Sequence, residues 1–349
     1  MISLKKIDFF LVIPIFFLIS LSVLILNSIS PYLFPNYYLY ILVSILLFIV
    51  FSKLDYEVIS FLSRYIYWFS IFLLVLVLFV GEVTRGSIRW IPLGSFSIQP
   101  AEIVRPFLII FWADYLTSKK LTTKRFFVFL ASFFLPVFLI LIQPSLGVSI
   151  LTAVSFLGVF LLLPIDRRKL FLPLLFSALI IPVFYLFLAP YQKQRIKTFL
   201  DPTLDPFGTG YNSIQSMMAV GAGQFLGRGL GKGVQTQLQF LPEKHTDFVF
   251  AAIAEELGFM GSLFVLIAYF FLFWRLTKLM LEAKSHSVRA FLSGLFFTLL
   301  VQVLVNIGMN MNLVPVTGIT LPLLSSGGSS LISVMISLGL VNGISKRRR

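Results

Sequence analysis

A chain of 349 residues that is 58% hydrophobic and only 12% charged departs from soluble domains, whose shares run at about 45–50% and 25%. It has no cysteine, which excludes a disulfide framework and a thiolate metal site. The formal net charge of +14 suggests nucleic acid, but membrane topology accounts for most of it, and no nucleic-acid partner is expected.

Largely apolar stretches recur from end to end, each near the roughly 20 residues a helix needs to cross a bilayer. The expected fold class is therefore all-α: a polytopic integral membrane protein with ten transmembrane helices. The spans are Phe9–Ile29, Tyr37–Ser52, Tyr65–Val80, Pro100–Leu116, Phe126–Ile142, Leu146–Leu163, Leu170–Leu188, Phe248–Trp274, Ala290–Met309 and Ser329–Ile344. The first follows Lys5 and Lys6, but it is too long for a signal-peptide core and no cleavage site follows, so it reads as a retained helix.

Basic residues set the orientation. Lys53, Arg64, Lys119, Lys120, Lys124, Arg125, Arg167, Arg168, Lys169, Arg275, Lys278, Lys284, Arg289 and the tail from Lys346 all fall on one side. The positive-inside rule makes that side, with both termini, cytoplasmic. The long connection 189–247 then lies outside, as a large extracytoplasmic loop between spans seven and eight. Its apolar content argues for a packed, partly membrane-lying loop. With no repeat or low-complexity linker, residues 1–349 form one domain.

Ionisable groups near lipid are the first candidates for function. Asp247 sits where the long loop enters span eight, and there Thr246 or Asp247 can equally cap the helix. Glu255 and Glu256 lie roughly 12 Å deeper, as functional groups or as a structural pair. In span four, Glu102 and Arg105 share a helical face, where an internal ion pair and a substrate role are both open, and Pro106 predicts a kink. Arg85, Arg89 and Trp90 precede that span on the outer face, suited to phosphate or to lipid headgroups.

The stretch GAGQFLGRGLGKG, with Arg228 and Lys232, resembles a phosphate-binding glycine loop. It fails the Walker pattern, because no Gly lies five before Gly231 and Gly233 follows Lys232. Lys244 and His245 complete the polar group beside Asp247. His245 and His286 are the only histidines and have no ligand spacing, so a zinc site is not expected. A hard cation, Mg²⁺ or Mn²⁺, held by Asp247 and a substrate phosphate remains open. The stretch NMNLVPVTGITLPLLSSGGSS between spans nine and ten reads as irregular backbone, tolerated at membrane depth only inside protein or around a wet cavity.

Four segments, RWIPLGSFSIQPAE, PTLDPFGTGYNSIQS, QFLPEKHTDFVFAAIAEELGFMG and NIGMNMNLVPVTGITLPLLSSGGSSL, resemble the motifs of the SEDS family (shape, elongation, division and sporulation proteins). They occur in the family's order, and LPEKHTDF followed by AAIAEELG is more similar to its elongation members than to its division members. The resemblance implies a peptidoglycan glycosyltransferase of the bacterial cytoplasmic membrane that polymerises lipid II on the outer face. It also implies a class B penicillin-binding protein, a transpeptidase, as partner. It puts the family's essential HTDF aspartate at Asp247 and its QPxE glutamate at Glu102. Three positions depart from the pattern: Ser145 replaces an aspartate, Ser326 a tyrosine and Arg105 a lysine.

On that reading Asp247 is the general base or a cation ligand. Arg85, Arg89, Arg228, Lys232 and Lys244 supply charge for the pyrophosphates, with Glu102 and His245 also at the substrate. Arg105, Glu255 and Glu256 support them. Two rival readings are a lipid-precursor flippase or transporter and a non-catalytic scaffold. A transporter gathers its polar groups at the midplane, whereas here they gather toward the outer face.

Overall fold

The computed structural model describes residues 8–84, 87–94, 96–120, 122–162, 190–206 and 208–347, and it is mostly helical. The seventh expected span, Leu170–Leu188, and Arg85 lie outside the described residues.

In chain order the helices begin with α1 (Phe9–Ile29), α2 (Asn36–Lys53), α3 (Tyr56–Phe61) and α4 (Ser63–Val80). Strands β1 (Glu82–Thr84), β2 (Ser87–Leu93) and β3 (Phe96–Ile98) follow. Then come α5 (Pro100–Ile103), α6 (Arg105–Thr117), α7 (Thr123–Ile142) and α8 (Leu146–Phe160). The segment expected to be a packed loop contains α9 (Pro190–Leu200), α10 (Thr209–Ala222) and α11 (Val234–Gln237). The chain ends with α12 (Val249–Glu282), α13 (His286–Asn310) and α14 (Gly328–Lys346).

Among the described residues seven helices, α1, α2, α4, α7, α12, α13 and α14, are long and apolar enough to cross a membrane. The eighth, α8, is apolar but has 15 residues. The fourth expected span is two helices, α5 and α6, because Pro106 has no N–H to return to the Glu102 carbonyl. The eighth expected span extends to Glu282 and is broken at Gly258, whose φ of 68° and ψ of −161° no helix allows.

The all-α expectation needs one correction. The outer segment before span four, to which no element was assigned, forms a three-stranded antiparallel sheet in the order β1-β2-β3. The register pairs Val83 with Ile88 and Ile91 with Ile98. The run SIRWIPL is rich in Ile and Trp, and Gly94 turns it with φ +68°.

Helix α14 is buried almost end to end and forms the axis of the bundle. At the far end from the HTDF motif, Arg275 Nε donates to Asp8 Oδ2 at 2.7 Å and Ser345 Oγ donates to the same oxygen at 2.5 Å. This ties the start of α1, the later half of α12 and the end of α14 together. Arg275, assigned by sequence to a cytoplasmic loop, is a buried partner of Asp8.

Candidate active site

Asp247 ends a tight turn rather than starting a helix. The N–H groups of Thr246, Asp247 and Phe248 all point at the Glu243 carbonyl, 3.1–3.2 Å away. The N-cap of α12 is Phe248, which supplies no side-chain cap. The capping bond comes from another helix: Asn310 Oδ1 of α13 accepts from Ala251 N at 2.9 Å. Asn310 thus caps this helix end from outside the segment, and Thr246 Oγ1 turns back to Glu243 Oε2 at 3.0 Å.

The backbone around Asp247 is held from two sides. Its carbonyl accepts from Asn306 Nδ2 and Asn310 Nδ2, both at 3.0 Å. Ser325 Oγ donates to the Thr246 carbonyl at 2.5 Å, and Ser326 donates to the His245 carbonyl through both N (2.9 Å) and Oγ (2.8 Å). The Asp247 side chain is half-buried, and a Cβ added at Gly318 would stand 3.7 Å from its Oδ2. The irregular stretch between α13 and α14 thus passes beside the carboxylate. It survives in an apolar bundle because side chains satisfy its backbone: Asn306 Nδ2 donates to the Ile319 carbonyl (2.7 Å) and Gln302 Nε2 to that of Thr320 (3.0 Å).

The same stretch joins the second motif. Ser329 Oγ accepts from Gln99 N at 2.8 Å, and Gln99 Nε2 donates to Ser145 Oγ at 3.2 Å. QPAE, QPSL and SSGGSS therefore meet, and Ser145 fills the family's aspartate position as a neutral hydrogen-bond partner. Glu102 and Arg105 are both buried and form an ion pair with each other. That is the internal pair that the sequence left open.

Glu255 and Glu256 are fully buried and face the 223–237 segment. Glu255 accepts from Gln235 N (2.8 Å) and Thr236 N (3.0 Å), N–H groups at the start of α11 that have no partner within the helix. Glu256 Oε1 accepts from Ser28 Oγ (2.9 Å), Gln237 Nε2 (2.9 Å) and Gly231 N (3.1 Å). The glycine stretch is no phosphate cradle. It threads into the break of α12, where Arg228 N and Gly229 N donate to the carbonyls of Glu255 and Glu256 at 2.8 and 3.0 Å. Phe259 N and Met260 N in turn donate to those of Gln224 and Phe225. Glycine is required by the close approach: a Cβ at Gly223 would stand 1.7 Å from the Ala254 carbonyl oxygen, and one at Gly227 2.2 Å from that of Glu256.

The expected positive groups divide. Lys244 is buried, its ammonium donates to the Thr236 carbonyl, and burial pulls its pKa below 10.5 against the opposing pull of Glu256 and Glu255. Arg228 is exposed, with Nε on the Ala222 carbonyl at 2.9 Å, and Lys232 is exposed. Arg89 is half-buried on β2. The His245 ring meets Tyr32 edge-on, centroids 6.2 Å apart.

The family model for cell cycle proteins of the FtsW, RodA and SpoVE type matches residues 3–349. The chain belongs to this family, the SEDS proteins. Peptidoglycan glycosyltransferase MrdB of Escherichia coli (strain K12) is 40% identical over 290 residues, which cover 82% of this chain and 78% of that protein. A probable peptidoglycan glycosyltransferase FtsW of Aliivibrio salmonicida is 39% identical over 293 residues, covering 80% and 71%. A solved chain from a peptidoglycan synthase complex that coordinates polymerization and crosslinking superposes with a TM-score of 0.84 at 31% identity, over 98% of both chains. The rod shape determining protein RodA of Thermus thermophilus gives 0.75 at 28%, over 99% of both.

Sequence reasoning passed over Gln302, Asn306 and Asn310. Their spacing of four puts three amides on one face of an apolar helix, and that polar stripe was the available signal.

Proposed function

We propose that this SEDS protein is a peptidoglycan glycosyltransferase that polymerises lipid II during cell elongation, with Asp247 at the reacting centre. Its likeness to MrdB supports the activity. One geometric fact supports the site: the Asp247 carbonyl is clamped by Asn306 and Asn310, and the irregular stretch at Gly318 passes beside the carboxylate.

In the reaction, the 4-hydroxyl of one lipid-linked disaccharide attacks the anomeric carbon of another. The new C–O bond forms as the bond to phosphate breaks, the polyprenyl pyrophosphate leaves, and the hydroxyl proton passes to Asp247. A positioned base is worth roughly 10²–10⁴-fold. The exposed Arg228 and Lys232, with Arg89 and Arg85, supply positive charge for the pyrophosphate, while Lys244 is committed to Thr236. Asp247 would also be the protein ligand for a Mg²⁺ or Mn²⁺ bound with a substrate phosphate, and such a cation would neutralise charge on the leaving pyrophosphate.

This reading keeps ten spans: the seven long helices, the α5–α6 pair, α8 and the stretch 170–188. It places both termini in the cytoplasm, residues 190–247 and the reacting centre on the outer face of the cytoplasmic membrane, and a class B penicillin-binding transpeptidase alongside.

The test is strand formation from lipid II by the purified protein, alone and with its transpeptidase. Asp247→Asn is expected to keep the wild-type melting temperature and lose at least about a hundredfold in rate. Full activity in Asp247→Asn refutes the assignment of Asp247. No strands from wild type under any condition refutes the enzyme.

A further inference from the structure

Beside the His245 turn lies a cleft of about 470 Å³ whose lining includes Tyr32, Asn36, Tyr37, Tyr40, Ser97 and Ser326. Three separate parts of the chain build it: the α1–α2 turn with the start of α2, the β2–β3 hairpin and the SSGGSS stretch. It is a rigid construction. The Tyr40 hydroxyl is tied to Ser97, accepting from its N and donating to its carbonyl, both at 2.9 Å. Tyr37 bonds Ser22 Oγ at 2.6 Å. Ser326 is pinned to the His245 carbonyl, so the wall of the cleft is continuous with the turn that carries Asp247.

Its chemistry is selective. None of the described lining residues is charged, which makes the cleft a poor place for a pyrophosphate. Among the exposed lining residues, Tyr32 (68%) brings an aromatic ring and Asn36 a carboxamide. An aromatic face takes the C–H side of a pyranose ring, and a carboxamide pairs with sugar hydroxyls or an N-acetyl group through one donor and one acceptor. The volume falls within the range of about 300–1,000 Å³ usual for small-ligand sites.

We infer that this cleft is a saccharide subsite, in which Tyr32 stacks on a neutral N-acetylhexosamine ring and Asn36 bonds its polar substituents. The inference rests on the polymerase reading above, for it makes the cleft the place where one sugar of a substrate is held beside the Asp247 turn. It adds that sugar and pyrophosphate are recognised by different surfaces, the uncharged cleft and the exposed arginines and lysines.

The experiment uses the purified full chain. Saturation-transfer NMR with N,N′-diacetylchitobiose, a neutral probe, is expected to give signals on wild type that persist with excess pyrophosphate and vanish in Tyr32→Ala. In lipid II polymerisation, Tyr32→Ala and Asn36→Ala are expected to raise KM about 3- to 10-fold, the scale of a lost ring contact, with kcat nearly kept. Tyr32→Phe, which keeps the ring, recovers the wild-type KM. Asn36→Ala serves if Tyr32→Ala does not fold. Unchanged KM in both alanine variants, with strands still formed, overturns the subsite while leaving the polymerase intact. Displacement of the probe by pyrophosphate also overturns it. Wild type that binds the probe yet makes no strands points to failure of the polymerase reading instead.

Discussion

Replacing Glu255 separates a scaffold from a catalyst. Its two carboxylate oxygens take the N–H groups of Gln235 and Thr236 in a fully buried site. Glu255→Ala strands both donors, at about 1–3 kcal/mol each, so a loss of about 4 kcal/mol is expected. At about 2 °C per kcal/mol, the low end for large chains, that is a fall of about 8 °C in melting temperature. Glu255→Gln keeps the shape but sets an amide N–H against a backbone N–H, and about half the loss is expected. Activity should fall with stability, because Thr236 holds Lys244, three residues before Asp247. The assay is thermal unfolding of the purified protein beside lipid II polymerisation at low temperature. Glu255→Gln that melts like wild type but makes no strands would refute the structural account and return Glu255 to the chemistry.

Gly227→Ala places a Cβ 2.2 Å from the Glu256 carbonyl oxygen at φ +83°, so a loss above about 3 kcal/mol is expected in the same unfolding assay; a wild-type melting point would disprove the interlock. Asn310→Ala removes the cap of α12 and one of two donors to the Asp247 carbonyl. It should cost about 2–3 kcal/mol and lower kcat more than it raises KM, and an unchanged kcat would show that the carbonyl clamp does not position the carboxylate. The depressed pKa of Lys244 fixes a sign: the folded state carries the full penalty of its buried charge below the folded pKa. Stability then rises with pH from that value up to 10.5 as the unfolded chain retains the proton longer. Unfolding of wild type and Lys244→Met across alkaline pH checks this, and a Lys244 contribution that shrinks with rising pH would refute it.

The membrane helices were legible because apolar length is a property of composition alone, and hence Phe9–Ile29 matches to the residue. The breaks were less so. Pro106 announced the division of span four, but Gly258 looks in sequence like any helical glycine. What decides its conformation is the chain at 223–229, some thirty residues earlier, seeking backbone partners. The sheet was missed for a related reason, since the β2 run is short and was read for its arginines and tryptophan. Glu255 and Glu256 were found by the rule that carboxylates near lipid have a purpose. The rule names no purpose, and here the partner is mostly the backbone of a segment that composition marked only as a glycine-rich loop.

That partnership explains the concentration of ionisable groups in LPEKHTDFVFAAIAEELG. Four stretches of irregular backbone reach into the apolar bundle: the α12 break, the glycine stretch, the HTDF turn and the SSGGSS stretch. Every unpaired N–H or carbonyl there costs several kcal/mol in a medium without water. Glu255 and Glu256 supply acceptors for the glycine stretch and the start of α11 that follows it, while Asn306, Asn310, Ser325 and Ser326 supply donors for the HTDF turn. Polar residues of this kind are needed to hold any bent backbone at that depth, whatever the chemistry. Asp247 joins the same scaffold through its backbone, its carbonyl accepting from Asn306 and Asn310. A backbone clamped by its neighbours' side chains fixes where the Asp247 carboxylate lies, next to Gly318.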